Sequence, residues 1–298
     1  MGIRINPDLY SSMLAGLALD QQQEDTAITE LSSGRKVNQP SDNPAAVAGF
    51  IVNNSQASEV NSYLSNISSL QGTMQVADST LDSVITALSQ AISLGVEGAD
   101  STMNQTDRNA IAQQVNGIQQ QILGYANESY QGNYLFAGTA VNVQPFVADS
   151  SSPSGVKYVG NSRVNNVEIG DGQAVPANLP GSQLFSAPGS DVFQALTDLS
   201  SALSSGSNIP AAVTEVQNAF DSINTQRTFY GATLSRLNSA SSFLNEESLQ
   251  LSQEENNLVG ADMASAASQL TRAETDLNAT LAAGGKISQV SLLNYLQY

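Results

Sequence analysis

Serine, lysine and carboxylate side chains are the groups through which this chain could carry out chemistry, because it contains neither His nor Cys. Catalytic triads and thiol nucleophiles are therefore excluded. A Ser–Lys dyad would need Lys36, Lys157 or Lys286. None has a convincing Ser-x-x-Lys context, since the first and last lie near glycines close to the chain ends and Lys157 lies in a β-like region. A pair of carboxylates can hydrolyse a glycosidic bond, but helical repeats do not form an aromatic-lined sugar cleft.

Binding motifs for cofactors and metals are also missing from the sequence. There is no Gly-x-x-x-x-Gly-Lys phosphate loop and no Gly-x-Gly-x-x-Gly turn. Asp171 lies between two glycines, which fits a turn better than a calcium loop. We therefore predict no cofactor and no metal ion, and an enzyme is the most distant alternative.

The charge balance limits the possible partners. The chain has 298 residues, with 27 acidic and 10 basic side chains, and its net charge is −17. Nucleic acid is excluded as a partner because its binding needs Lys and Arg to neutralise phosphates, and an anionic membrane is disfavoured for the same reason. The sequence has no apolar run long enough to cross a membrane and no visible secretory signal peptide.

Helical signals dominate the first part of the chain. The apolar spacing predicts a helix over Pro7–Ser33 that ends at Gly34. Asn43 is expected to be the N-cap of a second helix, which begins at Pro44 and reaches about Gly98. A third helix follows a polar break.

From about Gln131 the pattern changes to short strands and turns. Tyr134–Gly138, Val156–Val159 and Asn166–Ile169 are predicted as strands, and Gly170–Gly172 supplies a turn. Helix resumes after this region. We predict helices from about Ser190 to Ser204, from about Pro210 to Gln253, and then to Ala283 with an interruption near Gly260, before a break at Gly284-Gly285.

Apolar heptads inside both halves of the chain are predicted to form its own core. They comprise Ile67, Met74, Leu81 and Leu88, then Leu70, Ala77, Val84 and Ala91, and, in the second half, Val216, Ile223, Tyr230, Leu237 and Leu244. Arg227 shares a seam position with apolar residues, and we expect it to snorkel or to pair with an acidic neighbour.

Apolar stripes also run to both chain ends, where nothing beyond them in the sequence can cover them. Because an unpartnered amphipathic helix is marginal in water, these stripes must pack on each other or on other subunits. The predicted subunit-interface residues are Ile5, Leu9, Met13, Leu17, Ile28, Leu31, Leu258, Met263, Leu270, Leu277, Leu281, Ile287, Val290, Leu293 and Leu296.

The predicted fold is mainly α with a small β-rich insertion. The two chain halves are expected to form a long antiparallel helical bundle with the β domain at one tip. The expected segments are an N-terminal assembly helix (1–40), the two halves of the bundle (41–130 and 190–257), a β-rich outer domain (131–189) and a C-terminal assembly helix (258–298).

Several motifs resemble the flagellin superfamily, and within it the proteins of the hook–filament junction. The segment Leu31–Asn38 followed by Ser41–Ala46 is similar to the N-terminal signature of that superfamily, and Pro44 fits the junction proteins better than filament flagellins. Gly132–Thr139 and Lys286–Leu296 are also similar to junction-protein segments.

The resemblance implies a flagellin-like fold and a structural role in the bacterial flagellum. It implies export through the flagellar type III channel without a cleaved signal peptide, with an export chaperone shielding the C-terminal region. The implied partners are copies of the chain itself, hook-associated protein 1 and flagellin, with terminal segments that are disordered in the monomer and form a coiled coil on assembly. The alternatives are a flagellin that forms the filament itself and, more distantly, a non-flagellar coiled-coil scaffold or adhesin.

Overall fold

Seven helices and three small hairpins make up the part of the chain that the structure describes. The structure is a computed structural model that describes the backbone of residues 7–296 and the side chains of residues 11–286. The helices are α1 (Pro7–Ser33), α2 (Pro44–Gly98), α3 (Gln105–Ala126), α4 (Gly181–Leu184), α5 (Val192–Ser205), α6 (Ile209–Val259) and α7 (Met263–Leu296). The strands are β1 (Ser129–Tyr130), β2 (Asn133–Tyr134), β3 (Phe146–Ala148), β4 (Val156–Tyr158), β5 (Asn166–Gly170) and β6 (Gln173–Pro176). The predicted fold class, mainly α with long helices from both chain halves and a small β insertion, is confirmed.

The chain divides into two compact units. One contains residues 1–59 and 247–298, and the other contains residues 60–246. The long helices α2 and α6 each contribute residues to both units.

The unit of residues 60–246 has a core of interleaved heptads. Met74, Leu81 and Leu88 on α2 and Val216, Ile223 and Leu237 on α6 are almost completely inaccessible to solvent. The predicted heptad residues between 67 and 91 and between 216 and 244 are all buried, so their assignment to the chain's own core is confirmed.

Helices α2 and α6 run antiparallel within this unit. A hydrogen bond joins the Gln71 side chain to Asn238 at one level, and an added Cβ at Gly95 would lie 2.6 Å from Val213 Cγ2 at another. Because Gly95 has no side chain, the two helices approach closely there.

Arg227 forms an ion pair in the α2–α6 contact, as the sequence predicted. Its Nε lies 2.7 Å from Asp78 Oδ1, its Nη2 donates to Asp78 Oδ2 at 3.1 Å, and its Nη1 donates to Asp82. These bonds to Asp78, followed by the attraction of both carboxylates, raise the pKa of Arg227. Next to it on α6, Tyr230 is 2% exposed, and burial raises its pKa.

The β-rich region consists of three separate two-stranded antiparallel hairpins. The predicted strands near 156–159 and 166–169, and the turn between β5 and β6, are confirmed. Phe146 lies at the centre of an aromatic cluster, with ring centroids 5.0–5.5 Å from Tyr158, Phe193 and Phe185.

One predicted strand is wrong. Within Tyr134–Gly138, only Tyr134 belongs to a strand, and the following residues form turns. The backbone there does not pair with a partner strand, since the Phe136 carbonyl accepts from Gly181 N at the start of α4 at 2.7 Å, and the Ala137 carbonyl accepts from Asn161 N at 3.1 Å.

The predicted helix break at Gly284-Gly285 is also wrong, because α7 continues through both glycines. Glycine weakens a helix but does not clash with its geometry. A Cβ at Gly284 would lie 2.9 Å from Met13 Sδ. The glycine therefore allows α1 to approach α7 rather than ending the helix.

Candidate assembly interface

Helices α1 and α7, from the two ends of the chain, pack against each other. Thr280 Oγ1 donates to Asp20 Oδ2 at 2.8 Å, and Gly284 lies beside Met13. Residues of higher number on one helix thus meet residues of lower number on the other, so the pair is antiparallel. The sequence left open whether the terminal stripes pack on each other or on other subunits. In the described residues, α1 and α7 pack on each other.

Small residues form the buried centre of this pair. Ala27 on α1 and Ala266 and Ala273 on α7 are each at most 2% exposed. Side chains this short allow two helix backbones to approach closely, but they bury little apolar area. The pair therefore retains apolar surface for further contacts.

Large apolar side chains remain accessible on both helices. Leu14 and Leu19 of α1 are 45% and 54% exposed, and Ile28 is 46% exposed. On α7, Met263 and Leu281 are 48% and 54% exposed. Large apolar side chains that stay exposed after two helices have paired are candidates for contacts with other chains. We call the exposed residues Leu14, Leu19, Ile28, Met263 and Leu281 the apolar face.

The predicted interface residues fall into three groups. Ile28, Met263 and Leu281 belong to the apolar face. Half-buried in this unit are Met13, Leu17, Leu31, Leu258, Leu270 and Leu277. Ile5 lies outside the described residues, as do the side chains of Leu9, Ile287, Val290, Leu293 and Leu296.

Leu14 and Leu19 were missed by the sequence prediction. Neither follows the four-residue step that leads from Leu9 through Met13 to Leu17. That step selected a single stripe, and part of that stripe packs within the unit.

Short backbone hydrogen bonds connect the segment between α1 and α2 to the segment between α6 and α7. Lys36 N donates to the Val259 carbonyl at 2.8 Å, and Ala261 N donates to the Gly34 carbonyl at 2.9 Å. Gly34 has a φ of 69°, a left-handed conformation that favours glycine. We call this contact between residues 33–38 and 255–262 the joint.

Side chains reinforce the joint. Arg35 pairs with Glu255, and its guanidinium carbon lies 4.7 Å from the centre of the Phe50 ring. In the same joint, Val37 and Val259 are buried in a small apolar cluster, and the half-buried Leu258 packs against this cluster. Leu258 therefore already has contacts inside this unit.

The start of α2 follows the predicted capping pattern. Asn43 Oδ1 accepts a hydrogen bond from Ala46 N at 3.1 Å, so its prediction as the N-cap is confirmed. Just before it, Asp42 Oδ2 accepts from Asn38 N and Gln39 N at 3.0 and 2.8 Å. The Ser41–Ala46 motif thus fixes the loop that positions α1 at the start of α2.

The described residues include no group of acidic side chains arranged to hold a metal ion, and no helix among them is long and apolar enough to cross a membrane. Lys36, one candidate for a Ser–Lys dyad, donates from Nζ to the Asn257 carbonyl at 3.3 Å. Its hydrogen bond is part of the joint, so this lysine has a structural contact.

Comparison with known proteins matches both helical ends of the chain. The family model of the bacterial flagellin N-terminal helical region matches residues 8–141, and that of the C-terminal helical region matches residues 213–296. The chain belongs to the bacterial flagellin family. Both helices of the apolar face and the whole joint lie within the matched regions of this flagellin-family chain.

Two curated relatives of this flagellin-family chain are named flagellar hook-associated protein 3. The one from Escherichia coli K12 is 23% identical over 95% of this chain and 96% of its own length. The one from Salmonella typhimurium LT2 is 24% identical over 91% of this chain and 92% of its own length. The alignments thus extend through the β-rich region, beyond the helical parts that the family models match.

A solved structure shows the same fold. It is that of a proposed flagellar hook-associated protein from Vibrio parahaemolyticus, with a TM-score of 0.68, 20% identity, and coverage of 74% of this chain and all of that one. A likeness at this identity is one of fold.

Proposed function

We propose that this chain is a structural protein of the hook–filament junction of the bacterial flagellum. The proposal depends chiefly on the apolar face, which stays exposed after α1 and α7 have paired. Full-length relatives named flagellar hook-associated protein 3 support it, as does the junction-type motif that contains Pro44. The chain joins hook-associated protein 1 on the hook side to flagellin on the filament side.

The mechanism is assembly and involves no catalysis. Copies of the chain dock through the apolar face, so that the α1–α7 pairs of neighbouring subunits form a coiled coil. The predicted interface residues toward both chain ends extend that contact. The domain division proposed from the sequence assigns this contact to the terminal segments. Its parts are assembly helices at 1–40 and 258–298, bundle halves at 41–130 and 190–257, and an outer domain at 131–189.

The location follows from the same role. The chain is exported without a cleaved signal peptide and acts outside the cell. An apolar helical face would aggregate before export, and an export chaperone shields the C-terminal region, which includes Met263 and Leu281. A strongly acidic chain of this kind binds neither nucleic acid nor an anionic membrane surface.

The test is a variant that removes the α1 residues of the apolar face without disturbing the fold. Leu14→Gln, Leu19→Gln and Ile28→Gln combined change only exposed positions, so the purified variant should keep the far-UV circular dichroism and melting temperature of the wild type. In a strain that lacks the native gene, the variant should be exported while flagellin is shed into the medium. A control with Val143→Gln and Val164→Gln, two exposed valines of the β-rich region, should retain filaments.

Two outcomes would contradict the proposal. Filaments retained by the triple variant would show that the α1 residues of the apolar face are not needed for assembly. Long filaments formed by the purified wild-type protein alone would favour the alternative, a flagellin that forms the filament itself.

A further inference from the structure

A groove of about 500 Å³ lies in the unit of residues 60–246, between α2 and the β-rich region. Asn66, Ser69 and Thr73 line it on the helix side. Tyr130 and Tyr134, from the β1–β2 hairpin, line it on the other. A volume of this size is within the range of small-molecule sites.

The described residues that line the groove carry no acidic or basic side chain. Other grooves of the described residues do include charged groups, in a chain whose net charge is −17. A groove between α1 and α7 contains Arg272 and Asp276, and one beside α5 contains Asp198 and Glu215. The groove beside α2 presents amides, hydroxyls and tyrosine rings instead.

A strained residue lies on the wall of this groove. Gln131 has a φ of 50°, and it forms a two-residue turn between β1 and β2 with Gly132, whose φ is 82°. Hairpin turns with two positive φ values favour Asn, Asp or Gly, so Gln is a costly choice there. Strained residues that persist in a fold are concentrated at functional sites, and this one brings a long amide side chain to the groove.

We propose that this groove binds a neutral saccharide that carries N-acetyl groups. Asn66 and Asn178 already hydrogen-bond to backbone groups. The amides of Gln131 and Asn133 offer donors and acceptors together, which matches sugar hydroxyls and the acetamido group. Tyrosine rings provide a face for the C–H side of a sugar, and the apolar patch of Val141, Val167 and Ala177 can receive an acetyl methyl group. A charged ligand would find no partner for its charge among the described lining residues.

The site is one of binding and not of hydrolysis. Glycoside hydrolysis needs two carboxylates on either side of the bond, and the described lining contains none. Helical repeats do not form a sugar cleft, and here Tyr130 and Tyr134 of the β1–β2 hairpin provide the aromatic wall. The site does not depend on the junction role, since its residues lie outside the unit that carries the apolar face.

The experiment is saturation-transfer NMR on the full chain with N,N′-diacetylchitobiose as the probe. We expect saturation of the probe, strongest at its acetyl methyl groups. Cellobiose, which has the same linkage without acetamido groups, should show a much weaker effect. No saturation of N,N′-diacetylchitobiose, or equal saturation of the two disaccharides, would overturn the proposal.

Two variants locate the binding. Gln131→Gly removes the amide and relieves the backbone strain, so it should fold at least as well as the wild type and bind about threefold to tenfold more weakly. Its matched control is Asn208→Gly. Among the described residues other than glycine, only Gln131 and Asn208 have a positive φ, and Asn208 lies just before α6 and does not line the groove. The control should leave binding unchanged.

Ser69→Lys places a long charged side chain on the helix wall and should abolish saturation, whereas Ser65→Lys, one turn earlier on α2, should not. Both positions are exposed on α2, and lysine has a high helix propensity, so neither substitution should disturb the helix. Binding that survives both Gln131→Gly and Ser69→Lys at wild-type strength would show that the saccharide binds elsewhere, and it would refute the assignment.

Discussion

Arg227 and Asp78 form a two-bond ion pair between α6 and α2, with Nε–Oδ1 and Nη2–Oδ2 distances of 2.7 and 3.1 Å. Both side chains are about 30% exposed, at 31% and 29%. Within the heptad of α6, apolar residues precede and follow the arginine, so this pair is a polar contact on an otherwise apolar seam. The two parallel hydrogen bonds fix the register of one helix against the other.

The first prediction concerns this pair. Arg227→Ala should lower the free energy of unfolding by roughly 1–2 kcal/mol, because it leaves Asp78 without its partner while solvent screens part of the loss. Urea unfolding followed by circular dichroism measures the change. Arg236→Ala, at an exposed position further along α6, is the control and should change stability by less than about 0.5 kcal/mol. Equal losses in the two variants would argue against a specific pair.

The second prediction concerns alkaline pH. Burial raises the pKa of Tyr230 above its usual range, so above about pH 10 the unfolded chain loses this proton while the folded chain keeps it. Stability is therefore complete below about pH 10 and falls as the pH rises, by up to about 1.4 kcal/mol per pH unit for this group.

Tyr230→Phe removes the ionisable group and should flatten the stability profile between about pH 9 and 11, as measured by urea unfolding at each pH. The control is Tyr134→Phe, because Tyr134 is only half-buried. If the Tyr230→Phe profile falls as steeply as that of the wild type, another group must cause the alkaline loss.

The third prediction concerns the joint. Gly34 has a φ of 69°, and a Cβ added to it would meet no atom within 4 Å, so backbone strain alone decides the effect of a substitution. Gly34→Ala should lower stability by about 1 kcal/mol, and Gly34→Asn by less, because Asn tolerates left-handed geometry better. Hydrogen exchange at the Ala261 amide, which bonds to the Gly34 carbonyl, reports the local effect.

Gly16→Ala is the opposite control for the joint. Gly16 lies inside α1 with nothing near its Cβ position, so alanine should stabilise the helix by up to about 1 kcal/mol. A loss of stability with Gly16→Ala, or no loss with Gly34→Ala, would contradict the assigned backbone geometry.

The fourth prediction separates two neighbouring glycines of α7. Gly285→Ala adds a methyl group with no atom within 4 Å, and it should stabilise the helix by about 0.5–1 kcal/mol. Gly284→Leu forces Met13 away and should destabilise the α1–α7 pair by about 1–3 kcal/mol. Hydrogen exchange across α1 and α7 measures both effects, and equal protection in the two variants would show that the helices do not approach at Gly284.

Much of the helical core was predictable because heptad spacing records burial directly. Met74 and Leu237 are buried as their spacing predicted, and Asn43 caps α2 as its place before Pro44 predicted. Gly284 misled the prediction because a glycine that ends a helix and one that permits close packing are identical in sequence. Tyr134–Gly138 misled it because strand propensity does not show whether a partner strand exists.

The candidate sites were less accessible to sequence reasoning. Leu14 lies outside the stripe that the spacing selected, and its exposure depends on which face of α1 packs on α7. The groove brings Ser69 of α2 beside Tyr134 of the hairpin and Ala177 after β6, residues far apart in the chain. No local pattern links such residues, because only the tertiary fold brings them together.

The pairing of α1 with α7 has a consequence for the order of folding. Asp20 and Thr280, whose side chains meet in this pair, are 260 residues apart in the chain. Contacts between such distant residues form slowly, since the long intervening loop must close first. During synthesis, α1 emerges from the ribosome early and has no partner until α7 follows it. During that interval its exposed apolar side chains can promote aggregation, so a factor that protects α1 must act during translation.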